Sequence, residues 1–247
     1  MLTFSIKTTG SNSNNNPNNT PYSQEHSDFA LQYSNGKLED QYIFRAILDI
    51  KEEDPKNPGN FTSVPKDKET FKLRKNVDKQ IIINIQQLTN QTLEIERCFG
   101  VLMCPGRNVS HKDMQLLQTI SMGKTANDSP NVSNNYMVSA NWDILDSSMV
   151  SSLQVLNDET QKEMRVFMTI AVDLVIDGLQ DPVRFCIETK ARIYAQNEKF
   201  WVFNKLKHFE EFYLQIKKNN AFNSVTSSSP ASPINSSNLY RLDSIHR

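Results

Sequence analysis

Acidic residues crowd two short stretches of the chain. Asp49, Glu52, Glu53 and Asp54 form one, and Asp173, Asp177 and Asp181 the other. Carboxylates on loops at one end of a β-sandwich can chelate calcium through their oxygens. Lys51, Lys56 and Arg184 stand nearby in sequence and offset that charge. The plain alternative is a set of solvated loop charges, whose surface pairs contribute little. Gly123-Lys124-Thr125 has the ending of a phosphate-binding loop. That loop needs a second glycine five positions earlier, where Gln118 stands, with a strand before it and a helix after it. A polar stretch follows instead, so a solvated loop is expected. His26, His111, His208 and His246 are scattered, and a metal needs converging ligands. Cys98, Cys104 and Cys186 lie in apolar surroundings without a CxxC spacing, which suits small core residues. No nucleophile stands beside a base, and no catalytic carboxylate pair or cofactor loop is visible. Catalytic, cofactor-binding and metal-binding residues are therefore all expected to be none. Ser229-Pro230 and Ser232-Pro233 suit proline-directed phosphorylation, which makes Ser229 and Ser232 the candidate modification sites.

The elements that would position these groups read mostly as strands. In 42–50, Tyr42, Phe44, Ala46, Leu48 and Ile50 share one face and Arg45 and Asp49 the other. KEEDPKNPGN at 51–60 reads as a turn. Ile81, Ile83 and Ile85 share a face within 79–88, and the polar TNQT at 89–92 suggests a hairpin with 93–103. In that second arm Leu93, Ile95, Phe99, Val101 and Met103 share one parity, which Arg97 breaks as a bulge would. Segments 165–176 and 183–195 are long strands, with Val166, Met168, Ile170, Val172 and Leu174 directed to the core. One helix is expected over 206–218, where Phe209, Phe212, Tyr213 and Ile216 fall at i, i+3, i+4 and i+7. A weaker helix is expected at 111–119, and a long polar loop at 123–135. The fold class is then mainly β: an antiparallel β-sandwich of about seven or eight strands, one C-terminal amphipathic helix, and disordered ends.

Composition sets the frame. The chain has 247 residues, with 27 Lys+Arg against 28 Asp+Glu and a net charge of −1. A near-neutral balance argues against a nucleic-acid partner, which needs a basic field. No apolar run is long enough for a transmembrane helix, and the first residues lack the pattern of a secretory signal. The odd cysteine count and the unused-looking sequons at Asn60 and Asn108 fit a reduced, cytoplasmic setting. Residues 1–40 are Asn-rich, with six Asn between positions 11 and 20, and cannot bury enough surface to offset their ordering entropy. Residues 41–220 form the domain, and 221–247 a Ser/Pro-rich disordered tail or linker.

One resemblance goes beyond pattern. FKLRKNVDKQIIINIQQLTNQTLEIERCFGVLMCPGRNV at 71–109 resembles the kinesin-like domain of the Rab GTPase-activating protein 1 family. It continues through DMQLL (113–117), SMGK (121–124), VLNDETQKEMRVFMTIAVDLVI (155–176), DPVRFCIETKAR (181–192) and FWVF (200–203). FRAILDIKEED (44–54) and VPKDK (64–68) also fit, so the resemblance spans about Tyr42 to Lys218. In that family the domain lies between a phosphotyrosine-binding-type domain and a catalytic TBC domain, and this chain has neither. Stimulation of GTP hydrolysis there uses an arginine from an IxxDxxR motif and a glutamine from a YxQ motif. Tyr194-Ala195-Gln196 matches YxQ by letter, but IxxDxxR is missing and the tripeptide falls in a strand.

The resemblance implies a non-catalytic module of a Rab GTPase-activating protein, supporting GTPase activation and vesicle traffic by scaffolding or targeting. Its partners would be Rab GTPases through the parent protein's missing catalytic domain, and other domains of the same protein. Its location would be cytoplasmic, peripheral to endomembranes or the centrosome. The final NLYRLDSIHR carries no stop signal and suggests a cut chain. The alternative is a stand-alone protein- or lipid-binding adaptor, with Phe200, Trp201 and Phe203 as its exposed aromatic candidates. A calcium-dependent membrane module on the acidic loops is a third possibility.

Overall fold

Alternation of apolar and polar residues runs through much of the chain, and among the described residues it is read out as thirteen strands in two sheets. The computed structural model describes residues 41–89, 93–125, 134–142, 153–200, 207–218 and 240–247. The strands are β1 (Gln41–Asp54), β2 (Asn57–Ser63), β3 (Lys66–Asp67), β4 (Thr70–Arg74), β5 (Lys79–Gln87) and β6 (Ile95–Pro105). They continue with β7 (Gln115–Leu116), β8 (Gln118–Lys124), β9 (Asn134–Trp142), β10 (Val166–Ile176), β11 (Val183–Tyr194), β12 (His208–Lys218) and β13 (Tyr240–His246). The first sheet runs β13-β12-β1-β5-β9-β8 with β2 appended to β1, and the second runs β3-β4-β11-β10-β6-β7. Pairing is antiparallel except between β11 and β4. The mainly antiparallel β class is therefore borne out, in sheets that curl into a half-barrel.

The inward faces meet in one core. Phe44, Ala46, Leu48, Ile50, Ile81, Ile83 and Ile85 come from the first sheet; Met168, Ile170, Val172, Leu174, Val183, Phe185 and Ile187 come from the second. Phe185 stacks on Phe212 with centroids 4.4 Å apart and tilts against Phe44 at 5.6 Å, so aromatic contacts staple β1 and β12 to β11. Each fully buried Ile or Leu of this set stabilises the fold by about 1.5–3 kcal/mol of transfer free energy.

Several expectations are corrected. The described part of 206–218, residues 207–218, contains no amphipathic helix; His208–Lys218 is strand β12, whose Phe212, Leu214 and Ile216 are buried at a period of two. The segment HFEEFYLQIKK satisfies both periods, and pairing with β1 from Gln41↔Gln215 to Leu48↔His208 selects the strand. The strand count exceeds seven or eight. The expected tail at 221–247 includes β13, which pairs with β12. Residues 111–119 hold only a single 3-10 turn, His111–Asp113, before β7. The expected turn at 51–60 shrinks, because β1 runs to Asp54 and β2 starts at Asn57. The expected hairpin of 79–88 with 93–103 does not form: β5 pairs with β1 and β9, whereas β6 pairs with β10 in the other sheet. The suspected bulge in β6 is present, with register breaks opposite Asp173/Leu174 and Val175/Ile176. It turns Cys98 inward and leaves Phe99 53% exposed, reversing the parity expected for Phe99.

Candidate functional site

The acidic residues singled out by sequence are drawn apart by local partners. Asp49 accepts from the Ser63 hydroxyl, Glu53 from the Gly59 amide, and Asp54 from the Lys56 amide and the Asn57 side chain. Asp173 holds Arg184 in a two-point pair on the outer face of β10 and β11. Among the described residues no group of three or more His, Cys, Asp or Glu is placed to hold a metal ion. Gly123 and Lys124 lie in edge strand β8, where Lys124 pairs with Glu94 and the Thr125 amide bonds Asn135. His111, His208 and His246 sit on separate elements; His26, Trp201, Phe203, Ser229 and Ser232 lie outside the described residues. Burial pushes the Cys98 thiol up to about 11 and raises Cys104 and Cys186 as well, the opposite of what activates a thiolate.

One acidic residue has a different fate. Glu52 is inward-facing and 2% exposed, at the point where β1 passes β5. Its carboxylate accepts the Arg74 backbone amide at 2.5 Å and the Arg74 guanidinium at 2.8 Å. Lys79 lies 3.7 Å away and is fully buried. The Lys79 ammonium donates to the carbonyls of Val77 at 2.6 Å and Arg74 at 2.7 Å, and stands 5.4 Å from the Trp142 ring centre. Burial pulls the Lys79 pKa down to about 8, with Glu52 opposing. Asn76 and Asn157 close the same end, the Asn76 amide donating to Asn157 at 2.7 Å and the Asn157 side chain returning a bond at 2.9 Å.

Above this cluster lies a ledge of arginines and rings. Parallel pairing of β4 with β11 sets Arg74 opposite Tyr194 and Lys72 opposite Arg192. After β11 the chain turns back on itself: the Glu198 carbonyl accepts Arg74 Nε at 2.7 Å, and Gln196 donates to the Asn76 carbonyl. That turn lays Phe200 over Arg74, 4.5 Å from its guanidinium carbon, and edge-on to Tyr194 at 5.0 Å. Arg192 covers Tyr194 at 4.7 Å. Its Nε lies out of water without a hydrogen-bond partner among the described residues. Arginine and aromatic side chains held rigid in this way are the residue types that anchor protein interfaces. Of these, sequence reasoning found Phe200 but missed Arg74 and Arg192. Tyr194 packs in this ledge, and the exposed Gln196 bonds the Asn76 carbonyl, so both YxQ side chains have structural partners here.

A second charge cluster sits where β12 and β13 lie over β11. Glu210 and Glu188 approach each other there, the Glu188 amide donating to Glu210. Arg247 reaches both carboxylates, at 2.5 Å and 3.5 Å. Glu188 also takes Arg107 and the Asn108 amide. His208 is sandwiched near Phe71, Lys66 and Glu69, and burial pushes its pKa down to about 4. Burial raises the Glu210 pKa, and Arg247 works against that rise. No helix among the described residues is long and apolar enough to cross a membrane.

Comparison with known proteins agrees with the resemblance carried by the ERCFG and DPVRF segments. Residues 60–198 match the family model DUF3694, described as "Kinesin protein". The Rab GTPase-activating protein tbc-11 of Caenorhabditis elegans is 32% identical over 196 residues, covering 77% of this chain. The match spans only 20% of that protein's own length. Strands β1, β12 and β13 lie outside the family match, so the ledge falls largely within it and the second charge cluster at its border. The chain belongs to this family of kinesin-like domains and is related to a Rab GTPase-activating protein.

Proposed function

We propose that this domain is a non-catalytic interaction module of a Rab GTPase-activating protein, which supports GTPase activation by positioning or targeting a catalytic domain elsewhere in a longer polypeptide. The observation that carries this reading is the kinship to the Rab GTPase-activating protein over a region matched by a kinesin-like family. The ledge of Arg74, Tyr194, Arg192 and Phe200 supports it, because its rings and guanidiniums are held rigid at the end of the sheet. Residues 1–40 and the Ser/Pro-rich stretch before Tyr240 serve as connectors, and Ser229 and Ser232 as phosphoacceptors within one of them. The setting is cytoplasmic, on the surface of endomembranes or the centrosome, in vesicle traffic.

Purified chain is expected to leave the GTP hydrolysis rate of a panel of Rab GTPases unchanged. Acceleration comparable to that of a complete GTPase-activating protein would overturn the non-catalytic assignment. A second reading, a stand-alone adaptor, is favoured by the same ledge. Phe200→Ala with Arg192→Ala should then abolish capture of a partner that remains bound when no other domain is present.

A further inference from the structure

Strand β13 is joined to β12 through residues 219–239, a stretch rich in Ser, Asn and Pro in sequence. It lies at the edge of its sheet and pairs with β12 from Tyr213↔His246 to Lys218↔Tyr240, and beyond that only Tyr240 bonds the backbone of the 178–180 turn among the described residues. None of its residues is fully buried, whereas Phe212, Leu214 and Ile216 of β12 are. Leu242 is the apolar contact it makes with the core. Just past it, Arg247 drops into the recess between Glu210 and Glu188: Nε is 2.5 Å from Glu210 Oε2, and a terminal guanidinium nitrogen donates to Glu210 Oε1 at 2.7 Å. Glu188 has Arg107 and the Asn108 amide as further partners. Glu210, with only 12% of its side chain exposed, otherwise accepts the Glu188 amide at 3.2 Å and has His208 at 3.9 Å.

We propose that the outer edge of β12, with the Glu210–Glu188 recess at its end, is a docking site for an extended peptide carrying one apolar side chain and one arginine, and that residues 240–247 are its resident, displaceable occupant. Adding a strand to a sheet edge supplies backbone hydrogen bonds regardless of sequence, and pockets for particular side chains supply selectivity. Here the two selective places are those filled by Leu242 and Arg247, five positions apart along the strand direction. The recess holds two carboxylates, which a guanidinium engages at two points better than an ammonium does. Attachment through a Ser-, Asn- and Pro-rich linker of this length sets the effective concentration of the resident strand at only about millimolar. A partner segment with better side chains can therefore compete. The site is separate from the ledge and does not depend on the role assigned to it.

The test uses the full chain and a fluorescein-labelled peptide with the sequence of residues 238–247. Arg247→Glu in the protein should release the resident strand, so the variant binds the peptide about tenfold or more tightly than wild type does, a difference of about 1.4 kcal/mol. A peptide bearing the same Arg247→Glu change should bind that variant about tenfold more weakly than the unaltered peptide. Equal binding by both proteins, or no discrimination between the peptides, overturns the proposal. Hydrogen exchange on the wild-type chain provides a measurement that needs no variant. Amides of β13 should exchange far sooner than those of β5, and equal protection of the two strands also overturns it.

Discussion

The two charge clusters use the same ingredients, a carboxylate taken out of water and an arginine brought to it, yet they are closed differently. Around Glu52 the partners come from β4 and β5, and Trp142 and the core seal them in. Around Glu210 the decisive cation is Arg247, just past an edge strand that, apart from β12, is held only at Tyr240 by the 178–180 turn among the described residues. The first cation cannot leave without unfolding the sheet end. The second can return to water and take its charge with it. What separates a structural ion pair from an exchangeable one here is the topology of the partner's strand rather than the distance between the charges.

Deleting the carboxylate is the strongest way to break this comparison. Glu52→Ala leaves the Lys79 ammonium buried without its anion and should cost about 3–5 kcal/mol in urea unfolding. Glu210→Ala frees an arginine that is already half in solvent and should cost about 1 kcal/mol or less. Similar losses would mean that the two clusters are alike.

Acidity sharpens the contrast next. His208 has a folded pKa near 4 against 6.5 unfolded, so the unfolded chain binds the extra proton. Stability from this group is fully present above pH 6.5 and falls as pH drops toward 4, by about 2–3 kcal/mol. Glu210, raised by burial, acts in the opposite direction over the low end of that range. His208→Phe should flatten the acid limb of a stability–pH curve, and an unchanged limb would remove His208 as its cause. The inner cluster responds at the other end of the scale: the burial cost of Lys79 is present below pH 8 and relieved between 8 and 10.5. Lys79→Met should remove that alkaline rise. The smallest effect is expected of Arg247→Lys, which keeps the charge but loses the two-point fit. It should change global stability by about 0.5 kcal/mol or less while speeding amide exchange in β13.

Much of the core was legible because alternation is local. Phe44 to Ile50, Ile81 to Ile85 and Met168 to Leu174 point inward as their spacing requires. What was illegible turned on residues whose partners are remote. Glu52 looked like part of a charged turn because nothing near it in sequence shows that Arg74 and Lys79 will receive it. Segment 206–218 fits a helix as well as a strand, and the strand reading demands that Glu210 face inward. A buried glutamate argues against itself until Arg247 is known to reach it. The hairpin of β5 with β6 failed for a related reason: TNQT is a good turn, but the side chain of Gln87 accepts the Leu93 amide at 3.0 Å, and the chain crosses to the opposite sheet. The ledge was half visible. Phe200 stood out by type, whereas Arg74 and Arg192 carried no signal beyond being arginines in strands.

The pairing of β1 with β12 has a consequence for how this chain reaches its fold. The first described strand is completed by one of the last, and Arg45 finds Glu211 across 166 positions. Until residue 215 has been synthesised, β1 can pair with β5 but keeps its other edge open. Closure across such a separation carries a large loop entropy and places the domain among slow, β-rich folders. An open strand edge is a template for pairing with a neighbouring chain, so the waiting period is when aggregation threatens. Residue 198, where the family match stops, is for the same reason a poor place to end the domain. A chain cut there would keep the ledge turn up to Glu198 and lose the strand that covers β1.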